Sequence, residues 1–165
     1  MGEIYYVMIG ILALLAISGL YVGVTNDAVN FLNSAIGSRA AKFRTILIVA
    51  SVGILVGALT SSGMMDVARS GVFYPELFSY EEIMVLFLGM MLSNIILLDI
   101  YNTLGLPTST TVSLVFGLLG SALALALYNV WGGDTTYAIS QYINSANALG
   151  IVSGILLSVV LAFFT

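Results

Sequence analysis

The chain has 165 residues, of which 60% are hydrophobic and only 7% are charged, and its formal net charge is −4. Soluble domains carry about a quarter charged residues, so this composition excludes a soluble globular domain and predicts an integral membrane protein. The sequence has no cysteine, no histidine and only four basic residues, which excludes disulfides, thiolate or imidazole chemistry and a nucleic-acid partner.

Five apolar stretches follow one another along the chain, and a helix that crosses a bilayer needs about 20 such residues. They are Ile4–Val22, Thr45–Ser62, Ile83–Ile100, Val112–Tyr128 and Ala148–Phe164. We therefore expect an all-α, polytopic bundle of transmembrane helices in the lipid bilayer, with residues 1–165 as a single transmembrane domain.

The charged residues predict how this bundle is oriented. Three of the four cations lie between Arg39 and Arg44, and an acidic loop runs from Pro75 to Glu82. The positive-inside rule predicts a cytoplasmic basic loop, and an external acidic loop and N-terminus, in a multi-pass protein of the inner (cytoplasmic) membrane. No polar tail follows the last apolar stretch, so we expect the sequence to be part of a longer protein.

The segment GVTNDAVNFLNSAIGSR follows the first apolar stretch directly. Read as a helix, it places Asn26, Asn30 and Asn33 on one face. Asp27 and Ser34 lie on an adjoining face. An aspartate at mid-membrane costs at least about 2.5 kcal/mol, so an ionised Asp27 implies a compensating cation, which carboxylate and amide oxygens can bind. The alternative is a cap at the membrane surface, where Asp27 starts a second helix.

The segment from Asp99 to Thr111 separates the third and fourth apolar stretches. Gly105 and Pro107 break the helix there, because proline cannot donate a backbone hydrogen bond. Four hydroxyl residues, Thr108–Thr111, follow where the next helix must begin. A helix start offers free N–H groups and the positive end of its dipole, which favour an anion. The alternative is an ordinary proline-capped helix in a loop.

Together the two polar segments interrupt the apolar pattern, as the discontinuous transmembrane helices of secondary transporters do. The expected architecture has interrupted helices or a re-entrant hairpin. An anion beside Asp27 would be repelled unless cations accompanied it, so this electrostatic pairing predicts an anion transporter that is coupled to sodium. No arrangement of residues indicates an enzyme. We expect no cofactor, and sodium ions serve only as coupling ions.

The same two segments resemble the signatures of the inorganic phosphate transporter (PiT) family. The first is similar to the family motif G-x-N-D-x-A-N-x-x-G-x-x-V-G-S, with the wording of its bacterial branch. The second, GLPTSTTVSLVFGLLGS, is similar to G-L-P-V-S-T-T-H-x-x-V-G. The resemblance implies a sodium- or proton-coupled phosphate symporter with two inverted halves, each with both motifs, and usually a homodimer. This chain would be the N-terminal half plus a following helix, with the second half as its partner.

Carried over by position, the resemblance assigns roles to individual residues. It assigns sodium binding to Asn26 and Asp27. Sodium is the only metal ion that Asp27 is expected to bind. Phosphate binding falls to Asn30, Ser109, Thr110 and Thr111. Weaker candidates are Ser34, Thr108 and Asp99. Asp99 has no counterpart in the family motif, so it either adds an ion ligand or caps a helix end. Val112 stands where the family often has histidine, which favours sodium over protons.

Two other functions agree with the same residues. In a non-transporting membrane scaffold or assembly subunit, the polar stripes would hold helices together. In a half-size transporter of another oxyanion, two copies would work as an antiparallel dimer. A second N-D motif elsewhere in the complete gene product would favour the full-length symporter over both.

Overall fold

The computed structural model describes residues 2–62, 66, 71–133 and 136–164, and it is helical throughout most of them. The helices are α1 (Gly2–Gly37), α2 (Phe43–Leu59), α3 (Tyr80–Leu104), α4 (Thr110–Gly132), α5 (Ile139–Tyr142) and α6 (Ser145–Phe164). Over these described ranges there is no strand, and α1, α3, α4 and α6 are long and apolar enough to cross a membrane. The predicted all-α, polytopic membrane bundle is therefore confirmed.

The second predicted span differs most from its sequence interpretation. The stretch Thr45–Ser62 becomes the helix Phe43–Leu59 of 17 residues, which is about 25 Å long at 1.5 Å per residue. The helix ends at Thr60, whose hydroxyl bonds back to the carbonyls of Val56 and Gly57 at 3.0 and 3.3 Å. At this length α2 is shorter than the four longest helices of the described chain and lies at the lower end of the range for a membrane span.

The first polar segment interrupts the apolar pattern without interrupting the helix. α1 continues through it for 36 residues in all, a length of about 54 Å. No proline occurs in this helix, and its hydroxyl and amide groups leave the main chain intact; the Thr25 hydroxyl, for example, donates to the Tyr21 carbonyl one turn earlier at 2.8 Å. The polar segment is therefore the second part of one long helix.

The second polar segment is a true break, as predicted. α3 ends at Gly105, which has a left-handed φ of 67° that favours glycine. α4 begins after Ser109, whose hydroxyl accepts the Val112 N–H at 3.3 Å. α3 and α4 therefore form a helical hairpin, with Gly105–Ser109 as its tip and two arms of spanning length.

The two arms of the hairpin pack closely along most of their length. A Cβ added at Gly117 would lie 3.3 Å from the Met90 side chain, so glycine allows the arms to approach. Two polar pairs also join the arms. The Ser113 hydroxyl donates to Asn94 Oδ1 at 2.5 Å near the tip, and Asn129 Nδ2 donates to Glu82 Oε1 at 2.5 Å near the base. The buried core continues this packing: Val72, Phe73, Phe78, Leu86, Met90, Val115, Leu118, Ala122, Ala126 and Tyr142.

α1 lies against α3 and runs parallel to it. Near their N-termini the Tyr5 hydroxyl donates to the Glu81 carboxylate, and further along Gly19 faces Ile95 at contact distance. Because the helices are parallel, the hairpin tip reaches the polar half of α1. This arrangement brings the two polar segments together.

Candidate functional site

Asp27 and Thr110 meet where the hairpin tip contacts α1. The Thr110 hydroxyl lies 3.2 Å from Asp27 Oδ1 and 3.4 Å from Oδ2, across a separation of 83 residues. Both side chains are half-buried. The carboxylate of the first motif thus accepts a hydrogen bond from the hydroxyl cluster of the second.

The main-chain carbonyl of Thr108 is held by two amides from α1. Asn26 Nδ2 and Asn30 Nδ2 each donate to it at 2.9 Å. Asn26 is only 2% exposed, and its Nδ2 also lies 3.5 Å from Asp27 Oδ1. Both nitrogens thus face Thr108, and amide oxygens are of the ligand type that a hard cation prefers.

The start of α4 provides hydrogen-bond donors in the same place. Ser109 caps the helix through Val112 N–H, while the N–H groups of Thr110 and Thr111 find no acceptor within the described part of the chain. A cleft of about 400 Å³ lies beside them, lined by Asp27, Asn30, Phe31, Pro107, Thr108, Ser109, Thr110 and Thr111. Free N–H groups and hydroxyls at a helix start suit an oxyanion.

The weaker candidates lie in different places. Thr108 contributes its carbonyl to the α1 contact and lines the cleft. Ser34 lines a neighbouring groove of about 450 Å³ between α1 and the tip. Asp99 is exposed on α3 and lies outside the lining of both. Asp99 lies within α3, five residues before its end, and the C-terminal cap of this helix is Gly105.

In the described ranges, no basic side chain in the clefts beside Asp27 neutralises its carboxylate, so a cation can bind there. The clefts that Asp27 borders have no lysine or arginine in their lining. No group of three or more Asp, Glu, His or Cys side chains among the described residues could hold a metal ion. One carboxylate with amide and hydroxyl oxygens is a ligand set of low charge, which matches a monovalent cation better than a divalent one.

Two polar residues that the sequence interpretation missed contribute to this region. Asn102 Nδ2 lies 3.4 Å from the Val22 carbonyl of α1, and Asn94 lines the mainly apolar cleft of about 420 Å³ on the other side of Thr110. Asn102 precedes the break at Gly105 by three residues. Its place in the polar segment Asp99–Thr111, just before the break, was a signal that could have identified it.

Comparisons with known proteins point to phosphate transporters or permeases. A model of the phosphate transporter family matches residues 23–165. The chain is 28% identical over 119 residues to the "Putative phosphate permease TK2061" of Thermococcus kodakarensis, covering 70% of this chain and 29% of that protein. It is 36% identical over 103 residues to the sodium-dependent phosphate transporter of Toxoplasma gondii, covering 60% and 12%. A sodium-dependent phosphate transporter of Plasmodium falciparum is 34% identical over 108 residues, covering 63% and 16%.

The match is confined to part of each relative. The chain spans less than a third of the length of these relatives. No solved structure matches it.

Proposed function

The chain belongs to the phosphate transporter family, and we propose that it supplies one half of the binding site of a sodium-coupled inorganic phosphate symporter. The observation that carries the proposal is the hydrogen bond between Thr110 and Asp27. It joins the two family-like motifs in one cleft, with oxygen ligands on α1 and hydrogen-bond donors at the start of α4. A transporter family is not an enzyme class, and the proposed function involves no covalent chemistry.

The anion side of the proposed site is the start of α4. Phosphate oxygens would accept hydrogen bonds from the hydroxyls of Ser109 and Thr111, from the unpaired N–H groups and, once a sodium ion replaces its contact with Asp27, from the Thr110 hydroxyl. The second Nδ2 hydrogen of Asn30, whose first bonds Thr108, would add a donor from α1. The helix dipole favours the anion further, because its positive end faces the cleft.

The cation side of the proposed site is Asp27 with Asn26. A phosphate in the cleft would be repelled by the Asp27 carboxylate, since both are negative at short range. A sodium ion bound by this carboxylate and the Asn26 amide oxygen would remove the repulsion. Binding of each ion would therefore increase the affinity for the other, which is the basis of symport.

The length of α1 supports a site within the membrane. Asp27 is about 33 Å from Tyr5 and about 15 Å from Gly37 at 1.5 Å per residue. The bilayer is about 40–45 Å thick with its headgroups. If Tyr5 lies at one headgroup layer and the basic loop after Gly37 at the other, Asp27 lies inside the membrane, nearer to the basic side.

The remainder of the site would come from a second, inverted half. The chain spans less than a third of its relatives, and the clefts beside Thr110 are open. We propose that an inverted half closes them, that rocking of the halves gives alternating access, and that the complete symporter is a homodimer in the cytoplasmic membrane.

The experiment is uptake of radiolabelled phosphate by the product of the complete gene, in sodium and in choline medium. Asp27→Asn removes the charge that holds sodium, so sodium-dependent uptake should fall more than about tenfold, equivalent to roughly 1.4 kcal/mol. Asp99→Asn is the matched control, because the exposed Asp99 lies outside the cleft lining. Normal sodium-driven uptake by Asp27→Asn at wild-type expression would refute the proposed function.

A further inference from the structure

The hairpin tip is anchored to α1 at both of its ends. At the first end, Asn102 Nδ2 lies 3.4 Å from the Val22 carbonyl. At the second, the Thr108 carbonyl accepts from Asn26 and Asn30. The three α1 residues are spaced four apart, so they form one stripe along the helix. The tip therefore lies along this stripe, with one amide contact where it begins and two where it ends.

Asn102 makes contacts with both the end of α3 and α1. It is half-buried in the last turn of α3. Its own carbonyl accepts the N–H of Gly105 at 3.2 Å, while its side chain reaches α1. The same residue thus joins the end of α3 to α1. Between the two anchors, Gly105–Pro107 is exposed, so the position of the tip depends on the anchors themselves.

We infer that Asn102 is a positioning residue, which holds the hairpin tip so that Thr110 faces Asp27. Asn102 lines neither cleft that Thr110 and Asp27 share, although it lines the groove beside Asn26 and Asn30. Its hydrogen bond goes to the Val22 carbonyl, and we infer that it acts through this contact. The inference depends on the proposed function only for its effect on transport; the effect on tip geometry is independent of what is transported.

The chemistry of the anchor fits this role. An uncharged amide holds the tip without placing a fixed charge beside the proposed cation and anion. Asn26 and Asn30 are themselves proposed ligands, and their contacts with Thr108 would change with ion binding. Asn102 bonds a different carbonyl, that of Val22, so it can hold the first end of the tip while the contacts at Thr108 change.

The direct test measures the distance between the tip and α1. A Cβ at Gly23 would lie 3.9 Å from Thr110 Cγ2, so the pair Gly23→Cys and Thr110→Cys should form a disulfide in membranes treated with a mild oxidant. The parent is the complete gene product with any other cysteines replaced. Asn102→Leu removes the donor at similar size, and the rate of disulfide formation should fall roughly two- to tenfold, the effect of one lost hydrogen bond.

The matched control is Asn33→Leu, because Asn33 lines the groove between α1 and the tip and no hydrogen bond from its side chain anchors the tip. Its cross-linking rate should equal that of the parent. Asn102→Gln should restore part of the rate, since the amide donor is retained. If Asn102→Leu does not insert into the membrane, Asn102→Ala gives the same measurement. An unchanged rate in the donor-free Asn102 variant, or an equal loss in Asn33→Leu, overturns the inference.

Transport provides the second readout, in the protein without introduced cysteines. Asn102→Leu should raise the KM for phosphate and the half-saturating sodium concentration, with a smaller change in maximal rate, because a displaced tip binds both ions less well. An unchanged KM at normal expression contradicts the positioning role. Failure of the wild-type protein to take up phosphate with sodium would reject the proposed function alone and leave the cross-linking result standing.

Discussion

At the scale of single residues, the buried polar side chains each have a defined partner. Asn26, Ser113 and Asn129 are at most 9% exposed; Asn26 joins α1 to the hairpin tip, and the other two join α3 to α4. Among the described residues no buried side-chain polar atom lacks a hydrogen bond. This matching matters in a bilayer, where an unsatisfied polar group costs several kcal/mol. Glu82 combines two such roles, since it accepts from Asn129 and also caps α3 by accepting the Ser79 N–H at 2.6 Å.

Asn129→Asp should destabilise the hairpin at its base. The substitution replaces the donor to Glu82 with a second carboxylate at short range, so a favourable hydrogen bond becomes a repulsion. The free energy of unfolding at neutral pH should fall by about 1–3 kcal/mol or more, measured as a lower midpoint of thermal unfolding in detergent.

Asn147→Asp is the control for this prediction. Asn147 is exposed in the first turn of α6, where a negative charge is favourable near the helix start. Its unfolding midpoint should stay at or above that of the parent. Equal midpoints for the two variants would mean that the contact between Asn129 and Glu82 contributes nothing to stability.

At the scale of helices, the buried core of the described chain lies mainly in the hairpin and the segments packed on it. Its arms are joined by polar pairs near both ends and approach closely at Gly117 between them. The contact of the tip with α1 is different, because it depends on side-chain hydrogen bonds to main-chain carbonyls. Asn26, Asn30 and Asn102 lie at this boundary between the tip and α1.

Gly117→Leu should separate the arms of the hairpin. A Cβ at this position already lies 3.3 Å from Met90 Cγ, and a larger side chain in a packed interface costs about 1–3 kcal/mol. Gly120→Leu, in the same helix with open space at its Cβ, should be tolerated. The measurement is the yield and unfolding midpoint of each purified variant. Similar losses in both would contradict close packing at Gly117.

At the scale of the whole molecule, α1 and α3 run in the same direction, and the charged segments lie at their two ends. The N-termini of α1 and α3 lie together, with Tyr5 bound to Glu81. The basic loop begins beyond the other end of α1, at Arg39. Much of the surface of α2 and α6 is apolar and exposed, as expected for helices in contact with lipid or with the second half that we propose.

Single cysteines should report this orientation directly. Glu76→Cys should react with a membrane-impermeant maleimide added to intact cells, because the acidic loop is predicted to be external. Ser38→Cys, beside the basic loop, should react only after the cells are permeabilised. The sequence supplies no cysteine of its own. Labelling of Ser38→Cys from outside intact cells would reverse the predicted topology.

The sequence by itself determined the class of protein and the location of its two polar motifs. Composition, apolar length and the effect of proline act over a few residues, so they can be read without the fold. They predicted a helical membrane protein and the break at Gly105–Pro107, and the resemblance of the two polar motifs to family signatures predicted the family. The apolar pattern stops at the polar half of α1, but the helix does not, because polar side chains leave a helical backbone unchanged. The pattern alone could therefore not show that α1 continues.

The tertiary structure alone decided which groups meet. The contact of Asp27 with Thr110, the shared Thr108 carbonyl and the anchor at Asn102 all join residues about 80 positions apart. These contacts depend on α1 and α3 being parallel and on the close packing of the hairpin arms. Such packing is set by the shapes of whole helix faces, and a local sequence pattern does not specify which faces pair.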